Sequence, residues 1–528
     1  MKNYKYIGLL LLSIGITSCD VNNDLDPIVE ETGPVVQIDA NGVDFSNYVA
    51  VGASFTAGFT DGALFIKAQE NSFPNTLASK FSVVGGGDFN QPLMEDNIGG
   101  FVLGGTAVQP PRLYFNGVGP TRLTDTPTTS LGVRANGTSF HNFGIPGAKS
   151  FHLTFPGYGA ANPYFGRMAS SASASVLSDA VAANPTFFTL SEVGGNDVLG
   201  YATSGGDGSD MITPAATFDA AFNGMVNALT ANGAKGVLAT VPDITLLPHF
   251  TTVPYNPLDP SDATLKAQIP LLNSVYGAVN QIYVGAGEPE RAIVFSETET
   301  NAVVIFDEDA TDLSAAITAT LAASPTFVPF VQSLGLPEQA APLVASLLGQ
   351  QYGQARAATS ADLFVLPSSS VIGTVNMTAA GALIAQSNGL LPATLAGQFS
   401  AEGVTLPLGD KWVLTPQEQL EIKTAADGYN ATITSVASAK GLGLVDLNAI
   451  LSEAAGGIKF DRYTLTPSLV TGGLVSLDGI HLTGRGYALM ANKVLAAIDA
   501  TYGSNFTVAT DGLAKADDFP TNYSPALK

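Results

Sequence analysis

A serine and a histidine in this sequence stand in settings where their side chains can do nucleophilic chemistry. Ser54 lies in the string Gly52-Ala53-Ser54-Phe55, directly after a short apolar run. A tight turn between a strand and a helix presents a serine hydroxyl and leaves its backbone N–H free. A serine hydroxyl is a poor nucleophile unless a nearby base accepts its proton. Ser54 therefore needs a base from elsewhere in the chain.

His481 is the natural candidate for that base. Imidazole has an ordinary pKa that suits proton transfer near neutral pH. Asp478 precedes His481 by three residues, and a carboxylate at this short spacing can fix the ring tautomer and stabilise the imidazolium. Alone, each string is more often a turn or a helix cap. Together, each at the end of a predicted strand, they favour a catalytic site.

The elements that must position these residues are short and mostly apolar. Five runs rich in β-branched and aromatic residues are typical of buried parallel strands, at residues 48–52, 139–143, 186–193, 236–241 and 443–447. Helical patterns lie between and after them, at residues 169–183, 214–231, 416–439 and 484–502. This alternation predicts an α/β fold with a doubly wound parallel sheet, whose sites lie at the carboxyl ends of the strands.

Two more strings stand at predicted strand ends, Asn142-Phe143-Gly144-Ile145-Pro146-Gly147 and Gly194-Gly195-Asn196-Asp197. With the serine and histidine strings they resemble the sequence blocks of the SGNH/GDSL hydrolase family, over residues 45–250 and 410–503. The resemblance implies a flavodoxin-like SGNH hydrolase fold with large insertions. It also implies Ser54 as nucleophile, His481 and Asp478 as its partners, and an oxyanion hole made by Ser54, Gly147 and Asn196. One departure is Ala53, where the family has the aspartate of Gly-Asp-Ser-Leu; that aspartate is not a triad member.

The N-terminus predicts export and lipid anchoring. Lys2 and Lys5 precede an apolar run at residues 7–16, which is followed by Thr17-Ser18-Cys19. A basic segment, a short apolar segment and small residues before a cut site are typical of a signal peptide. The run before Cys19 resembles the lipobox of bacterial lipoproteins, which implies lipidation of Cys19, attachment to the membrane and a place in the cell envelope as an outer-membrane lipoprotein, on either face. An ordinary secreted protein with an incidental cysteine is the alternative.

The predicted organisation has six parts. They are a signal peptide at 1–18, an acidic flexible tether at 19–47, a first core part at 48–250 with an insertion at 60–138, an insertion or cap at 251–412, a last core part at 413–503, and a polar C-terminal tail at 504–528. Within 251–412, helical patterns cover 265–284, 313–323 and 338–357, and short strands cover 302–306 and 363–366. Apolar segments at 327–330, 334–336 and 343–348 can form one wall of an acyl pocket or pack among themselves.

Composition excludes several other functions. The chain has 528 residues, 22 basic and 45 acidic, with a net charge of −23, so it repels the phosphate backbone of nucleic acids. Four histidines and one cysteine leave little for a zinc site. The acidic run at 307–309 with Asp312 lacks the pattern of an EF-hand calcium loop, and a charged helix N-terminus explains it more simply. No metal or organic cofactor is implied. His141 is expected to be packed, and His152 and His249 to lie in loops or at a rim.

These observations together predict a membrane-anchored serine esterase or lipase that acts through an acyl-serine intermediate on a lipid or an acylated glycan. Two alternatives stay open: a carbohydrate O-deacetylase on the same scaffold, and a surface lipoprotein that binds a lipid or glycan without turnover. If the insertion forms a pocket wall, esters of short to medium acyl chains should be preferred over acetyl esters.

Overall fold

The centre of the fold is a five-stranded sheet in which all strands run parallel. Its strands are β1 (Tyr48–Gly52), β2 (Asn142–Gly144), β3 (Phe187–Ser191), β4 (Lys235–Ala239) and β5 (Gly443–Val445), in the order β5-β4-β3-β1-β2. Registers pair Ala50 with both Asn142 and Thr189, and Thr189 with Val237. The α/β class and the parallel sheet are therefore confirmed, and each predicted strand overlaps an observed one.

The computed structural model describes residues 35–137 and 139–528. The predicted signal peptide, Cys19 and most of the predicted tether lie outside the described residues. Ile38–Lys528 form one compact unit.

The longer helices surround the sheet and fill the large insertion. They are α1 (Phe73–Ser82), α2 (Val176–Ala182), α3 (Gly195–Thr203), α4 (Ala215–Leu229), α5 (Ala263–Ala286), α6 (Ser314–Ala323), α7 (Phe327–Ser333), α8 (Ala341–Tyr352), α9 (Met377–Gln386), α10 (Ala393–Gln398), α11 (Pro416–Lys440), α12 (Leu447–Gly456) and α13 (Gly484–Tyr502). Shorter α-helices cover Ser54–Ala57, Ile66–Glu70, Pro163–Gly166 and Pro248–Thr251. Among the described residues, no single helix has both the length and the hydropathy to cross a membrane; only the bent pair α6 and α7, at 91°, passes on length and composition.

Five two-stranded antiparallel ladders lie outside the main sheet. They pair Phe101–Leu103 with Thr106–Gln109, Leu113–Phe115 with Pro120–Arg122, Val304–Phe306 with Ala355–Ala357, Leu363–Phe364 with Val413–Leu414, and Ile458–Phe460 with Tyr463–Leu465. The first two belong to the insertion between β1 and β2, and the next two to the insertion between β4 and β5.

Both faces of the sheet are covered. Successive side chains of a strand point to opposite faces. In β1, Val49 and Val51 pack into the hydrophobic cluster that contains α2, α4 and α11, whereas Tyr48 and Ala50 pack into the cluster that contains α1 and α13. All five residues of β1 are buried. The sheet thus holds the end of β1, where Ser54 follows, between two layers of helices.

Helix α13 has the bounds that the sequence predicts because both of its caps are strong. The Thr483 hydroxyl accepts a hydrogen bond from the N–H of Gly486 at 2.9 Å, and Gly503 closes the helix in the left-handed conformation at φ +75°. Capping side chains at the N-terminus and glycine at the C-terminus satisfy backbone groups that the helix cannot pair itself. This firm start lies two residues after His481.

The insertion at 251–412 has a hydrophobic core of its own. Phe327, Val331, Leu336, Val344 and Leu348 are buried together in it, packed with residues of α5. The expectation that these segments form an acyl-pocket wall is therefore wrong, and the alternative of self-packing is confirmed for them. Amphipathic helices on one long insertion can pair with each other as well as with the sheet, and sequence periodicity does not distinguish the two.

The predicted tether ends earlier than expected, and the predicted polar tail packs partly on the fold. Phe45 is buried, and its ring stacks on that of Phe81 with centroids 4.0 Å apart, so the folded part begins before residue 48. In the predicted tail, Phe506 and Tyr523 are buried. The buried Arg112 guanidinium donates to carbonyl oxygens there, at 2.7 Å for Ser524 and 3.0 Å for Leu527. Buried apolar side chains, together with hydrogen bonds to backbone carbonyl groups, hold this largely polar segment against the rest of the fold.

Candidate active site

Ser54 begins the short helix Ser54–Ala57 that follows β1, and it is buried, with 7% of its surface exposed. The approach to this turn requires glycine. A Cβ on Gly52 would lie 2.2 Å from Thr56 Oγ1 and 2.5 Å from the Ser191 carbonyl oxygen. On the next strand, a Cβ on Gly144 would lie 2.1 Å from the backbone nitrogen of Ala57. Close backbone approach therefore fixes the serine turn between β2 and β3.

Asp478 and His481 form a hydrogen-bonded pair. His481 Nδ1 lies 2.8 Å from Asp478 Oδ2, and 12% of each side chain is exposed. The other oxygen, Oδ1, accepts hydrogen bonds from the N–H groups of Ile480 and His481, each at 2.9 Å. Burial raises the pKa of Asp478, but the His481 charge and these hydrogen bonds outweigh burial and hold the pKa well below its usual range. Asp478 thus stays ionised and orients the ring.

The loop that carries this pair docks on the segment that follows Ser54. The His481 ring lies 5.8 Å from the ring of Phe55 and 4.6 Å from that of Phe59, centroid to centroid. The Thr60 hydroxyl donates to the Leu482 carbonyl at 2.8 Å, and the N–H of Gly62 donates to Asp478 Oδ2 at 2.8 Å. Residues 55–62 and 478–482, which are far apart in sequence, therefore contact each other next to the serine turn.

No hydrogen bond joins the Ser54 hydroxyl to the His481 ring within residues 35–137 and 139–528. A catalytic hydrogen bond is often long or misaligned without substrate and shortens only in the reacting complex.

The expected oxyanion residues lie at the neighbouring strand ends. Gly147 is exposed, with φ +76°, in the loop after β2. Within the described part of the chain, the backbone N–H groups of Ser54 and Gly147 have no hydrogen-bond acceptor. Asn196 Nδ2 donates one hydrogen to the Ala148 carbonyl at 2.9 Å, which ties the start of α3 to the Gly147 loop and leaves its second amide hydrogen for another acceptor.

Asp197, in α3, forms a second connection between this helix and the segment that follows Gly147. Its carboxylate accepts hydrogen bonds from the backbone N–H of Ser150 at 2.8 Å and from the Ser150 hydroxyl at 2.6 Å. Asp197 is fully buried. A charge-assisted pair of hydrogen bonds in a buried position holds its partner firmly, so the loop that carries Gly147 is held against the helix that carries Asn196.

Glu192 is a functional candidate that the sequence analysis missed. It directly follows β3 with φ +47°, and its buried Oε1 accepts hydrogen bonds from the N–H groups of Ala53 at 2.7 Å and Thr56 at 2.8 Å. Burial raises the pKa of Glu192 to about 7, although these hydrogen bonds oppose the shift. The carboxylate thus holds the backbone on both sides of Ser54. Two sequence features could have drawn attention to it: a glutamate directly after an apolar strand, and Ala53 in place of the aspartate of the Gly-Asp-Ser-Leu string.

His249 differs from its expectation as a loop or rim residue. Only 8% of it is exposed, and within the described chain neither ring nitrogen has a hydrogen-bond partner. Its backbone N–H donates to the Gly479 carbonyl at 3.0 Å, in the loop that carries Asp478 and His481. Burial lowers the pKa of His249, which favours the neutral ring. His141 is packed as expected, with Nδ1 accepting from the N–H of Asn90 at 3.0 Å.

A small apolar cavity lies beside the site. Residues that flank Ser54 and His481 form part of its lining, helices α12 and α13 form most of the rest, and the loops after β4 and before His481 complete it. The lining is Phe55, Pro242, Leu247, Leu447, Ile450, Leu451, Leu474, Val475, Ile480, Leu482, Gly486, Leu489, Met490 and Lys493. None of it comes from the apolar segments of the 251–412 insertion.

Comparisons with protein-family models, with curated proteins and with solved structures found no match to this chain. The function of the chain must therefore be inferred from the geometry of its own residues. That geometry places a serine at a constrained turn, an oriented histidine next to the same turn, and free N–H donors at the neighbouring loop. Such an arrangement is suited to acyl transfer.

Proposed function

We propose that this protein is a serine hydrolase that cleaves carboxylic esters through an acyl-Ser54 intermediate. The observation that carries the proposal is the Asp478–His481 pair, hydrogen-bonded at 2.8 Å and in ring contact with Phe55, the residue after Ser54. A buried carboxylate that holds an imidazole beside a serine in a constrained turn is the arrangement that serine hydrolases need.

The chemistry follows from these positions. His481 Nε2 takes the proton of the Ser54 hydroxyl as its oxygen attacks the ester carbonyl, while Asp478 stabilises the imidazolium. The oxyanion that forms is bound by the N–H groups of Ser54 and Gly147 and by the free amide hydrogen of Asn196. His481 returns its proton to the leaving alcohol, and a water molecule activated in the same way then hydrolyses the acyl-serine.

We also propose that the parallel sheet belongs to a flavodoxin-like SGNH hydrolase fold. The strand order, read from the other edge, is 2-1-3-4-5, and helices cover both faces of the sheet. This is the order of doubly wound flavodoxin-like sheets, so it supports an SGNH hydrolase fold. In such sheets, ligands bind at the carboxyl ends of the strands, where Ser54, Gly147 and Asn196 lie.

The substrate we propose is an ester with an apolar acyl group, from a lipid or an acylated glycan. The support is the apolar cavity beside Phe55 and Ile480, because an acyl chain gains free energy by leaving water for such a surface. We further propose, from the lipobox-like run before Cys19, that a lipid on this cysteine anchors the enzyme in the bacterial cell envelope.

Hydrolysis of chromogenic esters of increasing acyl length by the full-length protein tests the proposal. Ser54→Ala and His481→Ala should each lower kcat by several orders of magnitude, and the double variant should be little worse, since the two residues act as one unit. Ser79→Ala, an exposed serine on α1, is the control and should keep full activity. Wild-type protein without hydrolysis would favour a binding lipoprotein, and Ser54→Ala activity within tenfold of wild type would exclude Ser54 as the nucleophile.

A further inference from the structure

Three carboxylates from distant parts of the chain meet at the junction between the 251–412 insertion and the core. Glu308 follows the strand Val304–Phe306, Asp410 lies near the end of the insertion, and Glu418 is in the first turn of α11. One carboxylate oxygen of each lies within 4.8 Å of those of the other two. The sequence brought only Glu308 to attention, as part of an acidic run, because its two partners are about a hundred residues away.

This group has no cation of its own. Within residues 35–137 and 139–528, no lysine, arginine or histidine forms an ion pair with any of the three. Two nearby carboxylates do have a cationic partner: Arg356 pairs with Asp307 at 2.5 Å and with Asp362 at 2.7 Å. The fold therefore neutralises the neighbouring charges and leaves these three to repel each other.

A second observation is that two carboxylate oxygens of this group are buried and have no hydrogen-bond partner in the described chain. Glu418 is 98% buried, with 2% exposed. Its Oε2 accepts hydrogen bonds from the N–H and the hydroxyl of Thr415, at 2.6 and 2.9 Å. Its Oε1 is buried with no hydrogen-bond partner in the described chain, and so is Oδ1 of Asp410. A buried acceptor without a partner destabilises the folded protein, and more so when it is charged. Both oxygens would therefore gain from a ligand that comes from solution.

Glycine keeps the space around these oxygens narrow. The loop after α3 covers the cluster with Gly205 and Gly206, both with positive φ. A Cβ on Gly206 would lie 1.8 Å from Glu418 Oε1, and one on Gly205 would lie 2.1 Å from the carbonyl oxygen of Asp410. Glu308 is exposed, so water and ions reach the cluster from its side.

We propose that Glu308, Asp410 and Glu418 bind a calcium ion through their carboxylate oxygens. Calcium takes six to eight hard oxygen ligands in flexible geometry, and water can complete the shell on the exposed side of Glu308. The group contains no histidine or cysteine, which zinc would prefer.

The ion ties two parts of the fold together. Glu308 belongs to the insertion, whereas α11 packs on the central sheet. Calcium therefore fixes the insertion to the core and stabilises the folded chain by mass action. This inference does not depend on esterase activity, because none of the three carboxylates belongs to the proposed catalytic machinery.

Calorimetric titration of the full-length protein with CaCl2, and thermal unfolding in CaCl2 and in EGTA, test the site. Wild-type protein should bind one calcium ion, and Tm should rise by several degrees. The double variant Asp410→Asn/Glu418→Gln should lose both responses yet keep a Tm in EGTA at or above that of wild type, since it relieves repulsion without a metal. Asp427→Asn, an exposed charge change on the same helix, should respond to calcium like wild type.

Three results would overturn the proposal. The first is wild-type protein that shows neither heat nor a Tm change at millimolar calcium, as expected if the carboxyl groups merely share protons. The second is a calcium response that survives in the double variant. The third is a larger response to MgCl2 than to CaCl2 in parallel titrations, which would exclude calcium as the preferred ion.

Discussion

Glu192 acts on the proposed nucleophile only through the backbone, and this makes its role measurable. Its carboxylate accepts from the N–H groups of Ala53 and Thr56, on either side of Ser54. Glu192→Ala leaves two buried donors unpaired, each at a cost of about 1–3 kcal/mol. We expect kcat to fall at least tenfold with little change in KM, because the serine hydroxyl is no longer held in place.

Glu192→Gln is the matched control. A glutamine carbonyl can accept both N–H groups, so this variant should recover most of the lost kcat. Ester hydrolysis at saturating and at low substrate separates kcat from KM, and thermal unfolding measures the stability of each variant. If Glu192→Ala lowers Tm but leaves kcat unchanged, Glu192 supports the fold and does not position Ser54.

The Asp478–His481 pair and Ser54 were predictable from residue types and spacing, whereas Glu192 and His249 were not. Asp478 and His481 are three residues apart, and a local motif fixes their contact. Glu192 reaches Ala53 across 139 positions of sequence, a contact that only the parallel pairing of β1 and β3 creates. Spacing along one chain reports local contacts well and contacts between strands poorly.

At the scale of elements, the lining of the small cavity predicts acyl-chain selectivity, provided the protein is an esterase. Leu451 on α12 lines the cavity beside Ile480. Leu451→Ala enlarges it, so longer acyl chains gain up to about 0.8 kcal/mol for each extra buried methylene, roughly fourfold in kcat/KM. We expect the optimum on the ester panel to move toward longer chains.

The control is Leu442→Ala, which removes a leucine of similar burial in the same hydrophobic cluster but outside the cavity. Both variants should lose stability, by about 2–5 kcal/mol. Only Leu451→Ala should change the order of preference among acyl lengths. An identical shift in the control, or none in either variant, would place the acyl group elsewhere.

The central elements could be predicted from the sequence, and the packing of the insertion could not. Strand β1 and helix α13 have the predicted bounds, because an apolar run ending at Gly52 and the caps Thr483 and Gly503 define them locally. Helix α8 lies within its predicted range, and α7 forms at an apolar segment for which no helix was predicted. The apolar faces of both helices meet each other and α5 instead of the site. Helical periodicity identifies a buried face without naming its partner.

At the scale of the whole molecule, the proposed lipid on Cys19 would determine where in the cell the protein is found. Thioether attachment of a lipid needs the cysteine thiol, so Cys19→Ser should yield uncleaved or soluble protein in a bacterial host. Wild-type protein should fractionate with membranes. Fractionation and mass spectrometry of the N-terminal peptide measure the difference, and a free, unmodified Cys19 in wild-type protein would contradict the proposal.

The pH dependence of stability is a second property of the whole molecule, and Asp61 contributes to it. This residue is 1% exposed, its Oδ1 accepts from the N–H of Leu477 at 3.0 Å, and within the described chain its buried Oδ2 has no partner. Burial raises the pKa of Asp61 to about 7, compared with about 3.9 in an unfolded chain. Between these two values the folded protein holds a proton that the unfolded chain has lost.

The sign follows from that proton. Where the folded state binds more protons, the free energy of unfolding falls as pH rises, so Asp61 should lower stability progressively from about pH 4 to pH 7 and by a constant amount above pH 7. The total is on the order of 4 kcal/mol. Asp61→Asn removes this titration while keeping an acceptor for Leu477. Urea unfolding of wild type and Asp61→Asn at pH 5 and pH 8 should therefore show the variant gaining stability relative to wild type at the higher pH. Glu192 and other buried carboxyls titrate equally in both proteins, so the difference in free energy of unfolding between the two proteins isolates Asp61. If this difference is the same at both pH values, Asp61 ionises in the folded protein as it does in the unfolded chain.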